Sequence, residues 1–150
     1  MDSGDAVRSV DISASPSRVY AALTTESGLT GWWTTVAEVG TRVGETITFR
    51  WSERDYTAMR IDVLKSDSRV EWTCVAQHDT NLPDPAEWVG TRVIFDLTPS
   101  LKGTKLVVRH VGLLTLDCGD MCSLGWMQFL TTSIKPLAEI GVGQPWVADG

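Results

Sequence analysis

The feature that most constrains the fold is a long apolar segment near the C-terminus, Asp120 to Ile140, DMCSLGWMQFLTTSIKPLAEI. At 3.6 residues per turn, Leu124, Met127, Thr131, Ile134 and Ala138 form one stripe. Trp126, Phe129, Leu130, Ser133 and Leu137 form a second. A helix that is apolar over most of its circumference must be covered over most of it. The remainder of the chain reads as strands, so the expected cover is a curved sheet wrapped around this helix. Pro136 falls inside the segment, where it removes a backbone donor and crowds the carbonyl of Thr132, and a kink is expected there. Gly141 and Gly143 end the helix, and Trp146 in the tail is expected to dock.

The strands come before it. Residues 7–12 read as a first short strand. Ser15 and Pro16 then suit an N-cap and first helical position, opening a helix that carries Val19, Tyr20, Ala22 and Leu23. Gly28 and Gly31 are expected to break the next turn, with residues 29–33 forming a short helix or tight turn that presents Trp32 and Trp33. Five segments follow, at residues 45–51, 56–64, 69–76, 91–98 and 104–112, each alternating apolar with polar positions. Period-2 alternation with one polar face predicts antiparallel strands with one side in water. The links between them are hairpin-like except for QHDTNLPDPAEW, residues 77–88, which is long, polar and holds two prolines. A loop of that length is either a functional lid or a mobile connection. The fold class is therefore α+β: two short helices after the first strand, then a curved antiparallel sheet gripping a long C-terminal helix.

The chain has 150 residues, enough for a single domain with a sizeable core, and residues 1–150 are read as one domain. Its net charge is −6 and it has no run of Lys or Arg, which argues against nucleic acid as a partner. No apolar run approaches the roughly 20 residues that span a bilayer, so no membrane partner is expected. The opening MDSGDAVRSV has no apolar core and carries acidic residues, so it does not read as a secretory leader, and a cytoplasmic location is expected. Cys74, Cys118 and Cys122 make an odd number, which argues against a disulfide framework. The spacing of Cys118 and Cys122 is not that of paired zinc ligands, and neither His78 nor His110 has a close Cys or His in sequence, so neither metal nor cofactor is expected. Seven tryptophans are the unusual item; indoles collect in cores, pockets and interfaces.

Three stretches resemble a known family. SPSRVYAALT (residues 15–24) followed by Trp32-Trp33 is similar to the opening helix and tryptophan pair of the SRPBCC superfamily, in the branch related to the C-terminal domain of the Hsp90 activator Aha1. GTRVIFDL (90–97) through GTKLVVRHVG (103–112) is similar to the last hairpin of that family and its His-x-Gly ending. Gly125-Trp126 matches a Gly-Trp at the start of its long helix. The resemblance covers nearly the whole chain and implies a helix-grip fold of the START and Bet v 1 kind, with a cavity between sheet and helix. Pro136 and the long 77–88 link depart from the family pattern.

Alternation places Phe49, Trp51, Met59, Trp72, Cys74, Phe95, Val108 and His110 on the inward sheet face, and Trp126, Phe129 and Leu130 on the facing helix stripe. With Trp33, the ligand-contacting candidates are Trp33, Phe49, Trp51, Met59, Trp72, Phe95, His110, Trp126, Phe129 and Leu130. Such a lining suits a small, flat hydrophobic or aromatic molecule with few polar anchors. Each of these residues also reads as plain core. His110 is the one inward imidazole and reads either as an acid/base group or as a buried, hydrogen-bonded histidine. No nucleophile elbow, phosphate loop or paired pocket carboxylates are present. Three functions compete: binding of a small hydrophobic molecule, a polyketide cyclase or aromatase-like reaction using His110, and a protein-interaction role like that of the chaperone activator. An exposed edge strand or tryptophan patch would support a homodimer.

Overall fold

The computed structural model describes residues 4–148. The first three residues, part of the segment read as lacking a secretory leader, and the last two, part of the expected C-terminal tail, lie outside the described residues.

Seven strands form one antiparallel sheet. They are β1 (Ala6–Ile12), β2 (Val36–Val39), β3 (Thr46–Arg50), β4 (Tyr56–Lys65), β5 (Arg69–His78), β6 (Arg92–Ser100) and β7 (Gly103–Val111). The spatial order is β1-β7-β6-β5-β4-β3-β2, so the first strand lies beside the last. Helices α1 (Pro16–Thr24) and α2 (Glu26–Trp32) follow β1. Ser15 caps α1 by accepting the Arg18 N–H, and Thr25 caps α2 by accepting that of Gly28. Gly28 therefore lies inside α2 rather than ending it. The two helices meet so closely that a Cβ on Gly28 would sit 2.5 Å from the Ala21 carbonyl oxygen.

The C-terminal helix runs as α3 (Gly119–Phe129), a π turn at Leu130–Ile134, and α4 (Lys135–Ile140). The Lys135 N–H reaches back to the Leu130 carbonyl, one residue further than in an α-helix. The expected disturbance at Pro136 is thus a wider turn just ahead of the ring, which displaces the carbonyl that the ring would otherwise crowd. The helix is not covered all round. Trp126, Leu130, Ser133, Ile134 and Ala138 are buried, whereas Leu124 is 64% exposed and Thr131 faces solvent. The sheet grips one broad face, and the Leu124–Thr131 side of the other stripe stays outside.

The core between sheet and helix is aromatic. Trp33 lies 4.4 Å from Phe49 and 5.3 Å from Trp126 between ring centroids, and Trp72 lies 4.8 Å from Phe95. Two bulges adjust the register of the central strands. Ala58 pairs with Ala76 while Met59 pairs with Cys74, which leaves Val75 as an extra residue in β5. Ile61 pairs with Trp72 and Val63 with Glu71, which leaves Asp62 as an extra residue in β4. Among the described residues no helix is long and apolar enough to cross a membrane.

Candidate functional site

A cavity of about 340 Å³ opens between the β3–β5 side of the sheet, the start of α3 and the C-terminal tail. Its walls are mainly indole: Trp33, Trp51, Trp88, Trp126 and Trp146, with Phe129. Thr57, Gln77, Asp79 and Asn81 supply polar groups, and Leu82, Met121, Cys122 and Gly125 complete it.

Each wall is held from behind. Trp51 donates its indole N–H to Thr57 Oγ1 at 3.0 Å, and Gln77 Nε2 donates to the same oxygen at 3.4 Å. With both lone pairs of that oxygen engaged, the hydroxyl proton is what Thr57 has left to offer a ligand. Gln77 Oε1 accepts the Trp88 N–H at 2.9 Å. Gln77 faces inward because of the bulge at Val75, which shifts the side-chain alternation by one residue and aligns Gln77 with Thr57. Backbone bonds fold the 77–88 link and the residues after it: Asp79 N–H bonds Pro85 O, and the Gly90 N–H bonds Cys74 O. Within it, Glu87 Oε1 accepts the Cys118 N–H at the start of α3. The tail closes the far side. Trp146 donates its backbone N–H to Trp33 O and its indole N–H to Trp51 O at 2.9 Å. Behind it, the buried Ser133 hydroxyl donates to Trp32 O at 2.6 Å and accepts the Gln144 N–H at 2.8 Å.

His110 does not reach the cavity. It is fully buried, edge-on to Trp88 with ring centroids 4.6 Å apart. Trp126 donates its indole N–H to His110 Nδ1 at 3.0 Å, so the imidazole proton sits on Nε2. Nε2 donates to Thr91 Oγ1 at 2.8 Å, and Thr91 donates to the Trp88 carbonyl at 2.6 Å. Burial pushes the His110 pKa down to about 3, against a weaker opposing pull from Asp5. A neutral imidazole with both nitrogens engaged has no role as acid or base near neutral pH. Of the two readings the sequence allows for His110, this geometry is that of the buried, hydrogen-bonded histidine, a joint between β7, the β5–β6 link and α3.

The three thiols differ. Cys74 is buried and its pKa is raised to about 12 by desolvation. Cys122 lines the cavity and its pKa is lowered, chiefly by a hydrogen bond from Cys118, with the Trp88 indole adding to the effect. The Cys118 pKa is raised in turn, first by its bond to Cys122 and then by burial. Trp88 Nε1 and Trp72 Nε1 are buried without a hydrogen-bond partner.

Of the ten candidates from the sequence, Trp33, Trp51, Trp126 and Phe129 come together on the cavity wall. Phe49, Met59, Trp72, Phe95 and Leu130 are buried behind it and pack the core, beside His110. Sequence reasoning did not find Thr57, Gln77, Asp79, Asn81, Leu82, Trp88, Met121, Cys122, Gly125 or Trp146. Strict alternation in β4 would have given Thr57, which shares the parity of Met59 and Ile61. Met121, Cys122 and Gly125 precede Trp126 and Phe129 by helical spacings.

A family model for Activator of Hsp90 ATPase homolog 1-like protein matches residues 13–139. No functionally curated protein matches the chain. Among solved structures, the Aha1 dimer from Colwellia psychrerythraea is 31% identical, with a TM-score of 0.78 over 93% of this chain and 98% of that one. The protein SSP2350 from Staphylococcus saprophyticus is 18% identical, with a TM-score of 0.73 over 95% and 98% of the two chains. DynU16, from the dynemicin biosynthetic locus, is 15% identical, with a TM-score of 0.72 over 95% of this chain and 49% of its own. The last two share the helix-grip fold.

Proposed function

The chain belongs to the family of Activator of Hsp90 ATPase homolog 1-like proteins, and on that footing we propose that it binds a small hydrophobic or aromatic molecule between the sheet and the C-terminal helix. The observation that carries this reading is the lining of the cavity. Five of the seven tryptophans surround one space of about 340 Å³, within the size range of small-molecule sites. Packing alone favours filling such a volume, because apolar walls around a void lose their dispersion contacts. The Thr57 hydroxyl supplies one donor for orientation.

The test is intrinsic tryptophan fluorescence during titration with a panel of flat apolar and aromatic metabolites. A saturable change at micromolar ligand, weakened at least tenfold in Trp51→Ala, supports the reading. No saturable response across the panel counts against it.

A second reading follows from the 31% identical Aha1 dimer: a protein-interaction role, as a homodimer or with a chaperone. The four-residue edge strand β2, with Val36 exposed, offers a short pairing surface. Light scattering at micromolar concentration and stimulation of Hsp90 ATPase turnover test its two parts. A cyclase-type reaction through His110 has no support in the geometry of that residue.

A further inference from the structure

We propose that the cavity selects organic cations, specifically a quaternary or protonated amine carried on a flat apolar body. The inference rests on the ligand-binding reading above and names the charge of the ligand.

It comes from the electrostatic character of the walls. Among the described residues no Lys, Arg or His lines the cavity, and Asp79 is its one carboxylate. Five indoles line the space, and an indole face attracts cations through its ring quadrupole more strongly than phenol or benzene rings do. Asp79 enters no salt bridge among the described residues, and its Oδ1 accepts the Asn81 N–H at 3.0 Å. Its charge is felt on the α3 wall, where Asp79 and Glu87 both oppose ionisation of the Cys122 thiol. Arg50 pairs instead with Glu38, and Arg69 with Asp96. A ligand carboxylate would meet Asp79 with no compensating base. A neutral ligand would gain apolar area and the Thr57 donor. A cation gains that area together with the ring quadrupoles and the carboxylate. The net charge of −6 adds a long-range attraction of the same sign.

The test uses two probes of nearly the same shape, phenyltrimethylammonium and tert-butylbenzene, followed by calorimetry and tryptophan fluorescence at physiological salt. The ammonium is expected to bind at least tenfold tighter. Asp79→Asn keeps the turn at Asn81, because an amide oxygen also accepts that N–H. This variant is expected to cut the preference to about threefold or less. Equal affinity for the two probes, or tighter binding of tert-butylbenzene, overturns cation selection and leaves the apolar cavity standing. Failure of both probes to bind overturns both readings. An undiminished preference in Asp79→Asn overturns the part assigned to the carboxylate.

Discussion

Trp126 gives its indole N–H to Nδ1 of His110 at 3.0 Å, and that one bond decides what the histidine is. With Nδ1 accepting, the ring is neutral and its Nε2–H is committed to Thr91. The same indole lines the cavity, so the wall facing a ligand is anchored to strand β7 through the imidazole.

The first prediction concerns acid. The His110 pKa is about 3 in the fold against 6.5 for an ordinary histidine. Above pH 6.5 both states are neutral and stability is fully present. As pH falls from 6.5 toward 3, the unfolded chain takes up a proton that the native state refuses, and stability drops by up to about 1.4 kcal/mol per unit. Urea midpoints should therefore fall between pH 6.5 and 5, above the range where Glu45 and Glu139, both held low by hydrogen bonds, begin to contribute. In His110→Gln this slope should flatten; an unchanged slope would refute the assignment.

Gly125 offers a way to close the cavity without harming the fold. It sits inside α3, and a Cβ built there meets nothing within 4 Å. Gly125→Ala should stabilise by about 0.5–1 kcal/mol, because the unfolded chain loses freedom and no strain is added. Gly125→Leu should keep or raise the thermal midpoint while abolishing ligand-induced fluorescence change. Binding that survives Gly125→Leu would place the ligand elsewhere.

Ser133 fixes the tail. Removing its hydroxyl strands the Trp32 carbonyl and frees the Gln144 N–H. Ser133→Ala should cost about 1–3 kcal/mol. It should also speed hydrogen exchange at the Trp146 amide, which bonds Trp33 O. Gly143→Ala should act in the same direction and more strongly, since its Cβ would lie 2.2 Å from the Gly31 carbonyl oxygen.

Thiol labelling should rank the cysteines. Cys122 should react first with iodoacetamide, ahead of the buried Cys74 and Cys118, whose pKa values are both raised. The Cys122 rate should reach half its maximum below pH 9.0, the ordinary thiol value, and Cys118→Ala should move that midpoint upward. A midpoint indifferent to Cys118 would mean that the sulfur–sulfur hydrogen bond is not formed.

The sheet and the long helix were legible because each buries a face at a simple period, as in Ile47 and Phe49 or Trp126 and Leu130. What escaped has specific causes. Strand β2 is four residues long, too short for alternation to stand out beside its neighbouring glycine. Gln77 opens a polar, proline-containing stretch that reads as a loop, and the bulge at Val75, which turns it inward at the end of β5, leaves no mark in the sequence. Trp88 and Trp146 lie where no period exists, and only tertiary hydrogen bonds to Gln77, Trp33 and Trp51 bring them to the cavity. His110 faces inward as the alternation of β7 predicts, and its surroundings engage both ring nitrogens.

The placement of β1 beside β7 bears on how the chain reaches this state. Ala6 sits opposite His110, so the pairing joins residues separated by most of the sequence. Closing so long a loop is entropically slow, and domains dominated by such pairings fold in roughly milliseconds to seconds. The meander from β2 to β7 assembles from neighbouring hairpins, whereas β1 has to arrive from afar. Arg8 of that strand then bonds Ser123 on α3, which seats the helix that carries Cys122, Gly125 and Trp126. A refolding chain would therefore recover its sheet signal before it recovers ligand affinity, and the lag between the two would time the arrival of the first strand.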